Sequence, residues 1–192
     1  MKRDTRQAII DAGGDLVHRQ GFHRTGLKEI LDAAGVPKGS FYFYFRSKED
    51  FGLALIEHCA QGFAALADQY LDAPLDGPLA RLAGFFVMLR ERLAARGYER
   101  GCPLGNLAQE ISDLSPPMRQ AVSHAMRGMA GRLARVLAQS RDAGEIPADL
   151  DPDATAAFML EAWEGALLRM KAEKSGEPLR RFEDFVLHRL LR

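Results

Sequence analysis

Apolar residues recur at i, i+3, i+4 and i+7 almost from end to end of this chain, and strand-like alternation is nearly absent. That period belongs to helices that each bury one stripe, so the chain reads as all-α. Ala, Leu, Arg and Glu are abundant and β-branched runs are scarce, which favours the same structure. With 192 residues the chain can form one domain, or a small domain joined to a larger one.

Caps and breakers divide the periodic stretches. A first helix is expected over residues 4–20, stopped by Gly21. A short helix follows from Leu27, with the stripe Leu27, Ile30, Leu31 and Ala34, Thr25 as candidate cap and Gly35 as terminator. A second short helix is expected to begin near Pro37. Ser47 and the acidic residues after it open a long helix. Further helices are expected over about 79–96, 104–112, from Ser115 to before Gly144, and from Asp151 to about Glu173, with a last one carrying Leu179, Phe182, Val186 and Leu190. The shift from short helices to long ones places a boundary near residue 46: a three-helix domain over 1–46 and a larger helical bundle over 47–192.

Composition excludes several classes. There are 26 basic and 26 acidic residues, so any attraction to nucleic acid must be local. The first fifty residues hold nine Lys/Arg against seven Asp/Glu, a weak local excess. Two cysteines, Cys59 and Cys102, make no disulfide scaffold and fit a reducing compartment. No run of 18 apolar residues and no apolar signal core occur, so a cytoplasmic protein without a membrane span is expected. The five histidines are scattered, so neither a metal site nor a cofactor is expected.

Residues 27–45 carry the most information. Two short helices separated by Ala34, Gly35 and Val36 have the layout of a helix-turn-helix, with glycine where the turn needs an unusual backbone angle. Such motifs lay the second helix in the major groove of DNA. Here that helix starts Lys38, Gly39, Ser40. Lys38 can reach phosphate or guanine, Gly39 lets the backbone come close, and Ser40 can bond phosphate or a base. Tyr42 and Tyr44 can reach phosphates, whereas Phe41 and Phe45, four apart, suit the core beneath.

The stretch from Thr5 and Arg6 through Gly21 and Phe22, then Thr25, then AAGVPKGSFYFYFRSKEDF over residues 33–51, resembles the DNA-binding domain of the TetR/AcrR repressors. The resemblance implies DNA contacts from Thr25, Lys38, Gly39, Ser40, Tyr42, Tyr44 and Lys48, the last to phosphate. It also implies a larger helical domain for effector binding and dimerisation, and a double-stranded, pseudo-palindromic operator. Two departures stand out. Leu31 replaces a small residue, and Gly13–Gly14 replaces Ala-Leu. At about 1 kcal/mol per mid-helix glycine, the second departure predicts a softer first helix.

GCPLGNLAQEISDLS over residues 101–115 resembles a TetR subgroup that includes electrophile- and acrylate-responsive repressors, which makes Cys102 a candidate sensor. A thiolate adds to electron-poor alkenes, quinones and aldehydes, and Arg100 together with the following helix start is expected to assist it. Effector candidates are Cys102, Asn106, Phe86, Met126, Phe158 and Trp163, with Phe63, Met129 and Met159 as further wall and His124 and Glu161 as polar groups. Cys59 lies on an apolar stripe and reads as core. The apolar stretch from Ala156 to Met170, with the final helix, is expected to form a two-fold homodimer interface.

The expected function is a DNA-binding transcriptional regulator, a repressor released by a small-molecule effector, for which the Cys102 segment makes an electrophile the candidate. The alternatives are an activator without effector, or an enzyme using Cys102 and His124. The enzyme lacks support because no nucleophile elbow, phosphate loop or carboxylate pair is present.

Overall fold

The computed structural model describes residues 5–73 and 77–192, the side chain of Lys38 excluded. Asp4, the expected first residue of the first helix, lies outside the described residues. Among those described there are nine α-helices and no strand: α1 (Thr5–Gln20), α2 (Leu27–Ala34), α3 (Phe41–Tyr44), α4 (Lys48–Leu71), α5 (Pro78–Ala94), α6 (Pro103–Ile111), α7 (Pro116–Asp142), α8 (Pro152–Glu173) and α9 (Glu177–Phe185). A 3-10 turn (Lys38–Ser40) precedes α3, and a π-type turn (Val186–Leu190) follows α9.

Local chemistry sets most of the helix ends. The Ser47 hydroxyl accepts the Asp50 backbone N–H at 3.0 Å, and the Asp50 carboxylate accepts the Arg46 N–H at 2.9 Å, which fills free donors at the start of α4. Ser115 does the same for α7 through the Met118 N–H at 3.2 Å. The Asp151 carboxylate caps α8 from the Asp153 and Ala154 N–H groups. Gly35 ends α2 in the left-handed region at φ 68°. Two expectations need correction. Gly26, not Thr25, caps α2, and Pro37 stays extended at ψ 146°, so the second short helix opens one residue later as a 3-10 turn.

The described chain forms two compact units. The first comprises Met1–Gln61 and Pro103–Ala125, and the second Gly62–Cys102 and Met126–Arg192. In the first unit, a Cβ on Gly13 would sit 2.5 Å from Phe51 Cζ, and one on Gly14 would sit 2.9 Å from Leu55 Cδ1. The paired glycines therefore let α4 pack directly onto the α1 backbone. The glycines that propensity reads as a softening of α1 thus serve close packing, with Ile9, Ile10, Ile30 and Phe51 fully buried around them.

The second unit has its own core. Phe86, Trp163 and Phe182 form a closed aromatic triad with ring centroids 4.9–5.1 Å apart, and Met159, Met170, Leu82 and Leu179 are fully buried around it. Arg90 Nε donates to both Glu183 oxygens at 2.9 and 3.0 Å and so ties α5 to α9. Burial pushes the Glu183 carboxyl up despite that partner. On α8 the expected all-round burial is incomplete in the single chain: Phe158 and Leu168 are exposed, and so is Phe185 on α9.

Candidate nucleic-acid interface and thiol site

The second helix of the helix-turn-helix sorts its aromatics by face. Phe41 and Phe45 are buried and pack on each other and on Phe51, with centroids 5.3 to 6.2 Å apart. Tyr42 is 68% exposed and Phe43 82% exposed. Tyr44 is half-buried, its ring edge-on to Phe43 at 4.9 Å. A four-residue helix presenting two large exposed aromatics is costly for a free protein and suits contact with another surface. Gly39 is exposed and Ser40 half-buried at the head of this face. Lys38 joins the turn by its backbone, while its side chain lies outside the described residues.

Thr25 and Lys48 take a different place. Thr25 is fully buried and its hydroxyl donates to the Gly21 carbonyl at 2.6 Å. In this state it braces the loop between α1 and α2, and its hydroxyl is not presented outward. Lys48 Nζ donates to the His23 carbonyl at 3.2 Å and lies over the Phe22 ring, 4.8 Å from its centroid. Partial burial pulls its ammonium below the ordinary lysine range, with Glu110 pulling the other way. The candidate contacts thus fall into an outward set on α3 and a set holding the loop beside it.

Cys102 sits at the end of an unusual turn. Gly97, Tyr98, Arg100 and Gly101 all have positive φ, between 59° and 70°, and two of them carry side chains. A left-handed side-chain residue costs about 1 kcal/mol or more, and such strain gathers at functional segments. The Cys102 thiol donates to the Glu164 carboxyl of α8. Glu164 Oε1 is buried with no hydrogen-bond partner, and burial pushes this carboxyl above the ordinary range, the thiol partly opposing. Sequence reasoning missed Glu164, because an acid within an apolar helical stretch gives no sign of which neighbour it will face. It left Phe43, between the two tyrosines read as contacts, without a role, although its side chain is exposed. Glu110 was missed because its partners are backbone groups 87 and 88 residues away.

The other effector candidates are dispersed. Phe86 and Trp163 belong to the closed triad, Met126 is half-buried and Phe158 exposed, all in the second unit. Phe63 packs edge-on to Phe85 at 5.8 Å, and Met129 and Met159 are buried. Asn106 lies in the first unit, lining a small apolar cavity with Gly14, Leu55, Cys59 and Pro103. Cys59, expected as core, is half-buried, and burial pushes its thiol up to about 11. His124 and Glu161 are exposed. Among the described residues no cluster of His, Cys, Asp or Glu has the makings of a metal site, and no helix is long and apolar enough to cross a membrane.

Residues 9–55 match the family "Bacterial regulatory proteins, tetR family", and residues 78–186 match "Tetracyclin repressor-like, C-terminal domain". The transcriptional regulator AcuR of Cereibacter sphaeroides is 46% identical over 92% of this chain and 80% of its own length. The repressor NemR of Escherichia coli is 33% identical over 93% of this chain and 89% of its own. A crystal structure of a regulatory protein TetR from Rhodobacter sphaeroides superposes with a TM-score of 0.88 at 43% identity, covering 95% of this chain and 96% of that one. Reduced NemR superposes with a TM-score of 0.86 at 33% identity, covering 96% of each chain. The outward aromatic face of α3, the helical second unit and these likenesses agree: this chain belongs to the TetR family and is a DNA-binding transcriptional regulator.

Proposed function

We propose that this chain is a repressor that holds a pseudo-palindromic operator as a homodimer and leaves it when a soft electrophile is captured at Cys102. The observation that carries the DNA half is the sorting of residues 41–45, with Phe41 and Phe45 buried and Tyr42 turned outward. Lys38, Gly39, Ser40, Tyr42, Tyr44 and Lys48 contact the duplex, phosphates first, and Thr25 braces the loop beside them. The exposed Phe158 and Leu168 of α8 and Phe185 of α9 meet their copies in the partner. That the chain acts as a regulator and not as an enzyme, and works in the cytoplasm, belongs to the same proposal.

At the thiol, addition to an electron-poor alkene forms a carbon–sulfur bond at the β-carbon and breaks the π bond, and the thiol proton ends on the α-carbon. No outside oxidant is needed. The adduct removes the thiol proton from a carboxyl whose Oε1 already lacks a partner, which disfavours this arrangement of α8. The strained turn before Cys102 and this shared proton support the thiol as the responsive group. Cys102 with Asn106, Phe86, Met126, Phe158 and Trp163 are the residues whose substitution tests the effector.

A gel shift on the chain's own upstream region tests the proposal. Wild type is expected to bind specifically, and Tyr42→Ala or Lys48→Ala to weaken binding by about tenfold to a hundredfold, the range for one good contact. Absence of binding by the reduced, ligand-free protein at low salt sinks the repressor. Release by an acrylate-like electrophile that survives Cys102→Ser sinks the thiol mechanism alone.

A further inference from the structure

We propose that Glu110 is a positioning residue for DNA recognition, through which α6 sets the geometry of the reading head from more than fifty residues beyond the helix-turn-helix. The loop between α1 and α2 turns at Gly21, whose φ is +92°. It then offers two successive backbone N–H groups, from Phe22 and His23. Glu110 of α6 takes both, with Oε2 2.7 Å from Phe22 N and Oε1 2.6 Å from His23 N. Paired N–H groups converging on one carboxylate form an anion-binding nest. A Cβ on Gly21 would lie 3.1 Å from Glu110 Oε2, so glycine is what admits the carboxylate.

The same residue, His23, is held a second time through its carbonyl. The His23 carbonyl accepts from Lys48 Nζ at 3.2 Å, and the Lys48 ammonium lies over Phe22. Thr25 closes the loop through the Gly21 carbonyl. Glu110 therefore fixes the segment on which both Thr25 and Lys48 rest, and Lys48 feels its charge directly. Without the carboxylate, the Phe22 and His23 N–H groups lose this acceptor, and the loop that orients Lys48 is free to shift. Two bonds of this length lengthen past hydrogen-bond reach if α6 moves by about 1 Å. α6 begins at Pro103, the residue after Cys102, so under the proposed repressor mechanism an event at the thiol reaches the reading head through this helix.

The test uses the full chain as wild type, Glu110→Gln and Glu110→Ala. Binding is measured on a duplex of the chain's upstream region and on a scrambled duplex, alongside amide hydrogen exchange of residues 21–26. The glutamine keeps size and one acceptor but sets an NH2 against the second N–H. Glu110→Gln is expected to lose tenfold or more in affinity for the upstream duplex, to stay within twofold on the scrambled one, and to exchange the Phe22 and His23 amides faster with helicity unchanged. Glu110→Ala is expected to exceed it, and if it fails to fold the glutamine variant still decides. Wild-type affinity in Glu110→Gln, or equal loss on both duplexes, overturns the inference. Failure of wild type to prefer its upstream duplex overturns the repressor reading, and the exchange measurement then judges the clamp on its own.

Discussion

Two carboxylates, each on a helix and each reaching a segment to which the proposed mechanism gives a role, are in opposite states. Glu110 in the first unit has both oxygens filled by backbone N–H groups at short distance. Glu164 in the second unit has a thiol on its carboxyl and one oxygen buried with no partner. The first is a finished contact, and losing it leaves a half-buried donor, the Phe22 N–H, without its acceptor. The second is an unfinished one, and its burial works against the fold whenever the group is ionised. The surroundings follow suit. Around the reading head the glycines admit direct packing, whereas before Cys102 they belong to a run of left-handed backbone. A regulator needs both: a rigid shape to read with, and a segment whose balance a small change can tip.

Stability measurements can break this contrast. The largest effect is expected for Glu110→Ala, which strips one half-buried and one exposed N–H of their acceptor and should destabilise the chain by about 1–3 kcal/mol in urea unfolding, the cost of the single donor that water reaches poorly. An effect under half a kcal/mol would mean that the clamp is not held in solution. Gly13→Ala comes next. Helix propensity alone predicts a gain of about 1 kcal/mol, but the new methyl would meet Phe51 Cζ at 2.5 Å. Overpacking costs about 1–3 kcal/mol, so a net loss is expected, and a rise in thermal midpoint would refute close packing at that site.

Glu164→Gln should move the other way. The folded state raises this carboxyl above its ordinary 4.5, so the folded chain holds the proton more tightly than the unfolded one. Below the ordinary value both states are protonated and nothing is lost. As pH rises from there through the raised value, stability falls, and it stays lower beyond. Glutamine removes that decline, so the variant should match wild type at acidic pH and exceed it at neutral pH. Equal pH profiles would remove Glu164 from the comparison. The smallest perturbation is a labelling experiment. With its thiol pushed up to about 11, Cys59 is only ~0.03% thiolate near pH 7.5 and should resist maleimide, while Cys102 reacts first. Preferential labelling of Cys59, read by mass spectrometry of peptides, would reverse the assignment of sensor and core thiol.

By itself the sequence determined the elements and the family. The 3.6-residue period, the Ser47 and Asp151 caps and the Gly35 stop act within a turn or two of chain, so helix type, helix order and the burial of Phe41 and Phe45 were legible from neighbours alone. Tertiary structure decided what each charged or small residue meets. Gly13 and Gly14 read as weak points until Phe51 and Leu55 were seen against them. Thr25 read as a cap and a contact until its hydroxyl was found on Gly21. Glu110 and Glu164 carry no local signal, because their partners lie 62 to 88 residues away and include backbone groups that any residue type supplies. Local periodicity is written in spacing along the chain, whereas a carboxylate's role is set by which donor the fold brings within hydrogen-bond reach of it, and only the packed helices fix that distance.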